Sequence, residues 1–92
     1  MKKSYKNVSA SHVIACKDVA RALINLDFDF YSPPYDNIAN YINVKAIVYE
    51  NTVTKLLDCR DEEFREDFTE WLELEIFKIY KRRVNNKARP FT

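Results

Sequence analysis

Not one of the 92 residues is glycine, and that absence constrains the chain more than any motif in it. Phosphate-binding loops and the dinucleotide fingerprint need glycine so that backbone amides can approach a phosphate closely, and both are excluded. Tight hairpin turns and left-handed helix caps also favour glycine, so Asn and Asp must serve wherever the chain turns with positive φ. Helices are the easier architecture. A hydrophobic content of 47% beside 32% charged residues belongs to a chain that folds around a core, not to a disordered one. The length suits one domain, and a domain this small leaves apolar surface over after folding, so burial against another subunit is expected.

The apolar spacing predicts an all-α fold: an antiparallel two-helix hairpin with an additional N-terminal helix, oligomeric. A first helix is predicted over residues 9–27, capped by Ser9 or Ser11 and striped by Val13, Cys16, Ala20, Leu23 and Ile24. A second is predicted over 33–57, where Ser32 offers a cap, Pro33 suits the first helical position and Asp36 sits near the positive end of the dipole. Along it Tyr35, Ala39, Ile42, Ala46, Tyr49, Val53 and Leu56 form a heptad seam. The competing reading is a β-hairpin around Asn51, given the β-branched Val44, Val48, Thr52, Val53 and Thr54. It would abandon the seam and turn at Glu50-Asn51, where Asn-Gly is the favoured pair. A third helix is predicted over 61–84, capped by Asp58 or Asp61, with core positions Phe64, Phe68, Leu72, Ile76 and Ile79 and a flexible tail at 85–92. The connection before it is short, which is what makes the last two helices antiparallel. Trp71, Leu74, Phe77, Tyr80 and Val84 lie partly off that stripe, so the third helix is apolar on more than one face.

A net charge of +1 is too small for a general electrostatic grip on DNA or on an anionic membrane, and neither is expected as a partner. The charges are segregated, with acidic residues over 58–75 and basic residues after them, an order that complements a helix dipole. The N-terminal stretch is basic and polar without an apolar signal segment, no run approaches a membrane span, and two cysteines fit a reduced cytosolic chain.

Few residues nominate chemistry. His12 is the only histidine, at the start of the first helix, where a surface or capping role is its plain reading because no nucleophile or acid partner is in view. Cys16 and Cys59 lie far apart without ligand-spaced companions, so no metal site or cofactor is expected and Cys16 reads as a core residue. Glu75 falls on the apolar stripe, either buried and paired or at the surface with Lys78 or Arg82. Arg65 is an isolated cation among Glu62, Glu63, Glu66 and Asp67, where helix-surface ion pairs are its ordinary role. The aromatics Tyr5, Phe28, Phe30, Tyr31 and Tyr35 suit either packing or stacking on bases. No acid, base and nucleophile set is visible, and an enzyme is not expected.

A set of short motifs runs in order along the chain. An aromatic turn with a double proline, "FYSPP", precedes Tyr41 and then Lys45 four residues on; Cys59, Asp61 and Arg65 follow, and then the pair Leu72 and Glu73. In this order residues 30–76 resemble the helical-hairpin domain of phage anti-CBASS cyclic-oligonucleotide sponges, a domain also found in some Thoeris inhibitors. Ser32 stands where that family usually has histidine, Lys45 where it has arginine, and Arg60 where it has proline. The resemblance implies a non-enzymatic homo-oligomer, a hexamer in the family, that sequesters cyclic di- and trinucleotide messengers of bacterial CBASS immunity in the host cytoplasm without degrading them. It implies cyclic dinucleotides in pockets between protomers, and cyclic trinucleotides on three-fold axes where Arg65 meets its symmetry mates. Arg65, Tyr31, Ser32, His12 and Lys45 are the candidate ligand-binding residues. The alternative is a small phage protein that inhibits a host protein by direct contact through a helix face.

Overall fold

The computed structural model describes residues 5–27 and 38–88, with side chains over 5–26 and 38–82. Among these residues it has three helices and no strand: α1 (Ala10–Asp27), α2 (Ile38–Leu56) and α3 (Glu62–Ala88). Tyr31, Ser32, Pro33, Tyr35 and Asp36, which carry the predicted start of the second helix and two of the candidate site residues, lie outside the described residues.

The segment read as either seam or β-hairpin is helix throughout, so the period of the apolar residues outweighs their β-branching. Ile42, Ala46, Tyr49 and Val53 of the seam are buried, Ala39 and Leu56 are exposed, and Tyr35 lies outside the described residues. α1 starts where Ser9 was expected to cap it: the Ser9 hydroxyl accepts the His12 amide at 3.2 Å and the Ser9 carbonyl accepts that of Val13 at 3.0 Å. α1 buries Cys16, Ala20 and Ile24.

α3 contributes Phe64, Phe68, Leu72, Ile76 and Tyr80 to the same core. The last of these corrects the expected stripe, which ended on Ile79: Tyr80 is buried and Ile79 only partly so. A row at four-residue spacing drifts slowly around a helix of 3.6 residues per turn, and Tyr80 continues the row that Phe64 begins. Phe64 stacks on Phe68 with ring centroids 5.2 Å apart, Phe68 stacks on Trp71 at 5.8 Å, and Tyr5 meets Phe64 edge-on at 5.3 Å. Burying each such aromatic is worth about 1.5–3 kcal/mol, so this ladder is a main source of stability. The predicted tail is also corrected. α3 continues through residues 85–88, four beyond the expected end. Nothing in "NNKA" forbids a helix, and Pro90 disfavours helical backbone only at the residue before it.

Between α2 and α3 the absence of glycine is met directly. Asp58 adopts φ 54°, the left-handed conformation that glycine usually supplies. The Cys59 amide reaches back to the Thr54 carbonyl at 2.7 Å and the Asp58 amide to that of Lys55 at 3.3 Å, the paired bonds of a Schellman cap. Of the two caps proposed for α3, Asp61 is the one used: its Oδ1 accepts the Phe64 amide at 2.8 Å, and its Oδ2 accepts that of Asn7 at 3.4 Å. Asp58 thus ends one helix and Asp61 starts the next.

Glu75 combines its two expected environments. Its side chain is mostly buried, yet it pairs with Lys78 at 3.3 Å and with Arg21 of α1 at 3.7 Å. Arg21 and Lys17 also lie over the Trp71 ring, each 5.1 Å from its centroid, so α1 is held to α3 by charge on an aromatic face as well as by apolar packing.

Candidate functional site

The turn from α2 to α3 gathers most of what the chain offers for chemistry. Arg65 stands in the first turn of α3, where the Asp61 cap fixes the backbone and the side chain turns toward α2. Its Nε donates to Glu50 Oε2, its Nη2 donates to Asn51 Oδ1 at 2.9 Å, and Nη2 also faces Glu50 Oε1 at 3.5 Å. Glu50 raises the Arg65 pKa above its ordinary value, because the ion pair and its hydrogen bond favour the charged guanidinium. No described residue bonds to Nη1. One edge of the guanidinium is therefore used to hold it, and among the described residues the other edge has no partner.

The ordinary reading of Arg65, surface pairs with the acids beside it in sequence, is thereby replaced by a pair between helices. Glu50 was missed. Its signal was positional: if Tyr49 is a seam residue, Glu50 flanks the seam at the place where partner helices exchange ion pairs. Asn43 occupies the equivalent place one heptad earlier, and it bonds Glu73 of α3 through its side-chain amide. The Thr54 hydroxyl lies 2.6 Å from the Glu50 carbonyl oxygen and 3.3 Å from Oε2, completing the surroundings of a buried carboxylate.

Arg65 also divides two open clefts. One, of about 500 Å³, is lined by Asn51, Thr54, Lys55, Asp58, Cys59, Arg60 and Arg65. Its cations outnumber its single carboxylate, and Asp58 is already paired with Arg60 at 2.9 Å. The other, of about 330 Å³, is lined by Glu50, Glu62, Arg65, Glu66 and Thr69 and is acidic. An anion is therefore favoured on one side of Arg65 and opposed on the other.

At the same turn, the His12 ring bonds through Nε2 to the Leu57 carbonyl at 2.9 Å. A carbonyl only accepts, so Nε2 carries the proton and the neutral ring keeps its lone pair on Nδ1. Cys16, one turn along α1 from His12, and Cys59, at the end of the Schellman cap, complete a cluster: one ring nitrogen of His12 and both thiol sulfurs lie within 4.8 Å of one another. Both cysteines are free and buried. Burial, and then the neighbouring Cys59, push the Cys16 thiol from 9.0 up to about 12, while burial raises Cys59 as well. Spacing along the chain gave no hint that the two cysteines meet; only the i, i+4 placement of His12 and Cys16 on one helix face was readable.

The remaining candidate, Lys45, is not part of the lining of either cleft. Its ammonium lies 5.8 Å from the Tyr41 ring centroid and 5.7 Å from that of Tyr49, held on aromatic faces of its own helix. The structure thus brings Arg65 and His12 each to the turn between α2 and α3, with Cys59 in the lining of the Arg65 cleft and beside His12, and leaves Lys45 elsewhere on α2.

No protein-family model matches the chain, and comparisons with curated proteins and with solved structures return no match. Among the described residues, no helix is long and apolar enough to cross a membrane.

Proposed function

We propose that this chain is a non-enzymatic, homo-oligomeric binder of cyclic oligonucleotides that sequesters them intact, built on a hairpin of α2 and α3. The observation that carries the reading is the Nη1 edge of Arg65, to which no described residue bonds, beside a cleft that also holds Lys55 and Arg60. A phosphate oxygen accepts charge-assisted hydrogen bonds from such an edge, and a guanidinium already oriented by Glu50 and Asn51 loses less freedom on binding. Asn51 and Thr54 also line this cleft, where they hold Arg65 and Glu50 in place. The hairpin is supported by two bridges between its helices, Asn43 to Glu73 and Glu50 to Arg65, whose order along α3 is the reverse of that along α2. The sequence resemblance adds the ligand class: cyclic trinucleotides on three-fold axes at Arg65, and cyclic dinucleotides between protomers near Tyr31 and Ser32.

Self-association is supported by the apolar side chains left on the outer faces. Val44, Ile47 and Val48 are exposed on α2, and Leu74 and Phe77 are exposed on α3. The same faces support a second reading, in which they dock a host protein directly. Native mass spectrometry with cyclic GMP-AMP and with cyclic tri-adenylate separates the two. Ligand-bound oligomers, with intact nucleotide recovered after denaturation, are expected for the binder. A monomer that ignores both ligands rejects it.

A further inference from the structure

We infer that His12, Cys16 and Cys59 form a binding site for a thiophilic divalent cation, Zn²⁺ in the first instance, which ties α1 to the turn between α2 and α3. This inference is independent of the nucleotide reading and rests on other residues. Tetrahedral zinc with bonds of about 2.3 Å to sulfur and about 2.0–2.1 Å to imidazole nitrogen sets its donors roughly 3.5–3.8 Å apart. The three donors, all within 4.8 Å of one another, are close to that spacing before any ion draws them in.

Each donor is also held by rigid backbone. His12 and Cys16 are one helical turn apart on α1, and Cys59 is the residue whose amide closes the Schellman cap on Thr54 at 2.7 Å. The His12 ring is oriented by Nε2–H donating to the Leu57 carbonyl at 2.9 Å, the outer-shell contact by which a metal-binding histidine is usually fixed. Two thiolates with an imidazole favour zinc over hard cations such as Mg²⁺ or Ca²⁺. Asp61 is nearby, but both of its oxygens accept backbone amides, from Phe64 and Asn7. The fourth position therefore falls to water or to an added ligand, as in open zinc sites.

Binding converts two neutral thiols into thiolates, so each Zn²⁺ bound releases two protons to solvent and no electron is transferred. His12 is partly exposed, and Cys59 lines the basic cleft, so the cluster is reachable although Cys16 is fully buried.

The test uses the full chain, reduced and stripped with a chelator, titrated with Zn²⁺ in competition with a colorimetric chelator and separately with Co²⁺. One ion per chain is expected, with sulfur-to-cobalt charge transfer and the visible bands of tetrahedral Co²⁺. Saturating Zn²⁺ should raise the melting temperature by roughly 10 °C. Cys16→Ser and Cys59→Ser should each abolish the charge-transfer pattern of a two-thiolate site. Because these buried substitutions can unfold the chain, His12→Gln is the second variant: it keeps helical circular dichroism and should weaken Zn²⁺ at least tenfold. A folded wild-type chain that binds neither ion overturns the inference. So does His12→Gln with unchanged affinity and spectrum, or a chain whose cysteines are joined as a disulfide and refuse metal after reduction.

Discussion

Arg65 of α3 grips Glu50 of α2, and the two are unequally buried: the carboxylate side chain is 7% exposed and the guanidinium 39%. The carboxylate is therefore the half that packs, and the guanidinium the half that solvent reaches. Removing Arg65 leaves a buried carboxylate with only Thr54 and its own surroundings for compensation. Breaking a fully buried pair costs about 3–5 kcal/mol, and the solvent reaching Arg65 reduces this. Arg65→Ala is expected to lose about 1–2 kcal/mol in urea unfolding. The double variant Arg65→Ala with Glu50→Gln should recover part of that loss, because the orphaned charge is gone. A double variant that is worse than the sum of the singles would sink the pair as the cause.

Arg65→Ala alone is consequently a poor test of ligand binding, because it also disturbs packing between helices. Arg65→Lys keeps a charge near Glu50 but lacks the second guanidinium edge. It is expected to weaken cyclic tri-adenylate binding at least tenfold in calorimetry, with a melting temperature close to that of the wild type. Unchanged affinity in the Lys variant would remove the Nη1 edge from the proposal.

Asp58 is the one described residue with positive φ, in a chain without glycine. Left-handed backbone is strained for a residue with a Cβ, and its surface pair with Arg60 at 2.9 Å returns little. Asp58→Gly is expected to raise stability by about 0.5–1 kcal/mol in chemical denaturation. Asp58→Val, which adds β-branching at the same φ, should be destabilising. If both substitutions are neutral, the Schellman cap is not what ends α2.

The contrast between Asp58 and Glu50 shows what was legible in the chain. Caps and seams are local: Ser9 and Asp61 accept amides three residues on, the Asp58 amide donates to the carbonyl three residues back, and Ile42, Ala46, Tyr49 and Val53 repeat at the period of one helix. Such features could be read residue by residue. Glu50 with Arg65, and His12 with Cys59, depend on how separate helices are set against each other; the heptad spacing marks Glu50 as flanking the seam but names neither partner. Tyr80 is an intermediate case. Its helix is readable from the apolar spacing, but a surface apolar on several sides left the choice between Ile79 and Tyr80 to the packing of α3.

Cys16 gives the fold an alkaline limit. In the folded chain its thiol holds its proton up to about 12, against 9.0 when unperturbed, chiefly because it is fully buried. The folded pKa lies above the unfolded one, so the associated stability is complete below about pH 9 and falls as pH rises toward 12. In chelator and reductant, this single group should contribute a slope of about 1 kcal/mol per pH unit over that window. Cys16→Ala, which has no thiol, should lack that component, so its stability deficit against the wild type should narrow as pH rises above about 9. Parallel curves for the two proteins would mean that the thiol ionises as readily folded as unfolded.

The outer face of α2 is the sharpest test of self-association. Val44, Ile47 and Val48 are exposed at 49%, 44% and 47%, so charged residues there should leave the helix core intact. Arg65, Asn51 and the basic cleft lie further along the same helix pair, so an interface on this face would bring copies of the ligand edge toward one another. Ile47→Asp with Val48→Lys is expected to retain helical circular dichroism and to shift sedimentation from oligomer to monomer. Binding of cyclic tri-adenylate should fall in the same variant, since a ligand shared by symmetry-related arginines loses its site when the copies separate. An oligomer that persists in this variant places the interface elsewhere. A monomer that still binds the trinucleotide at full affinity shows that one chain suffices, and the shared site is then wrong.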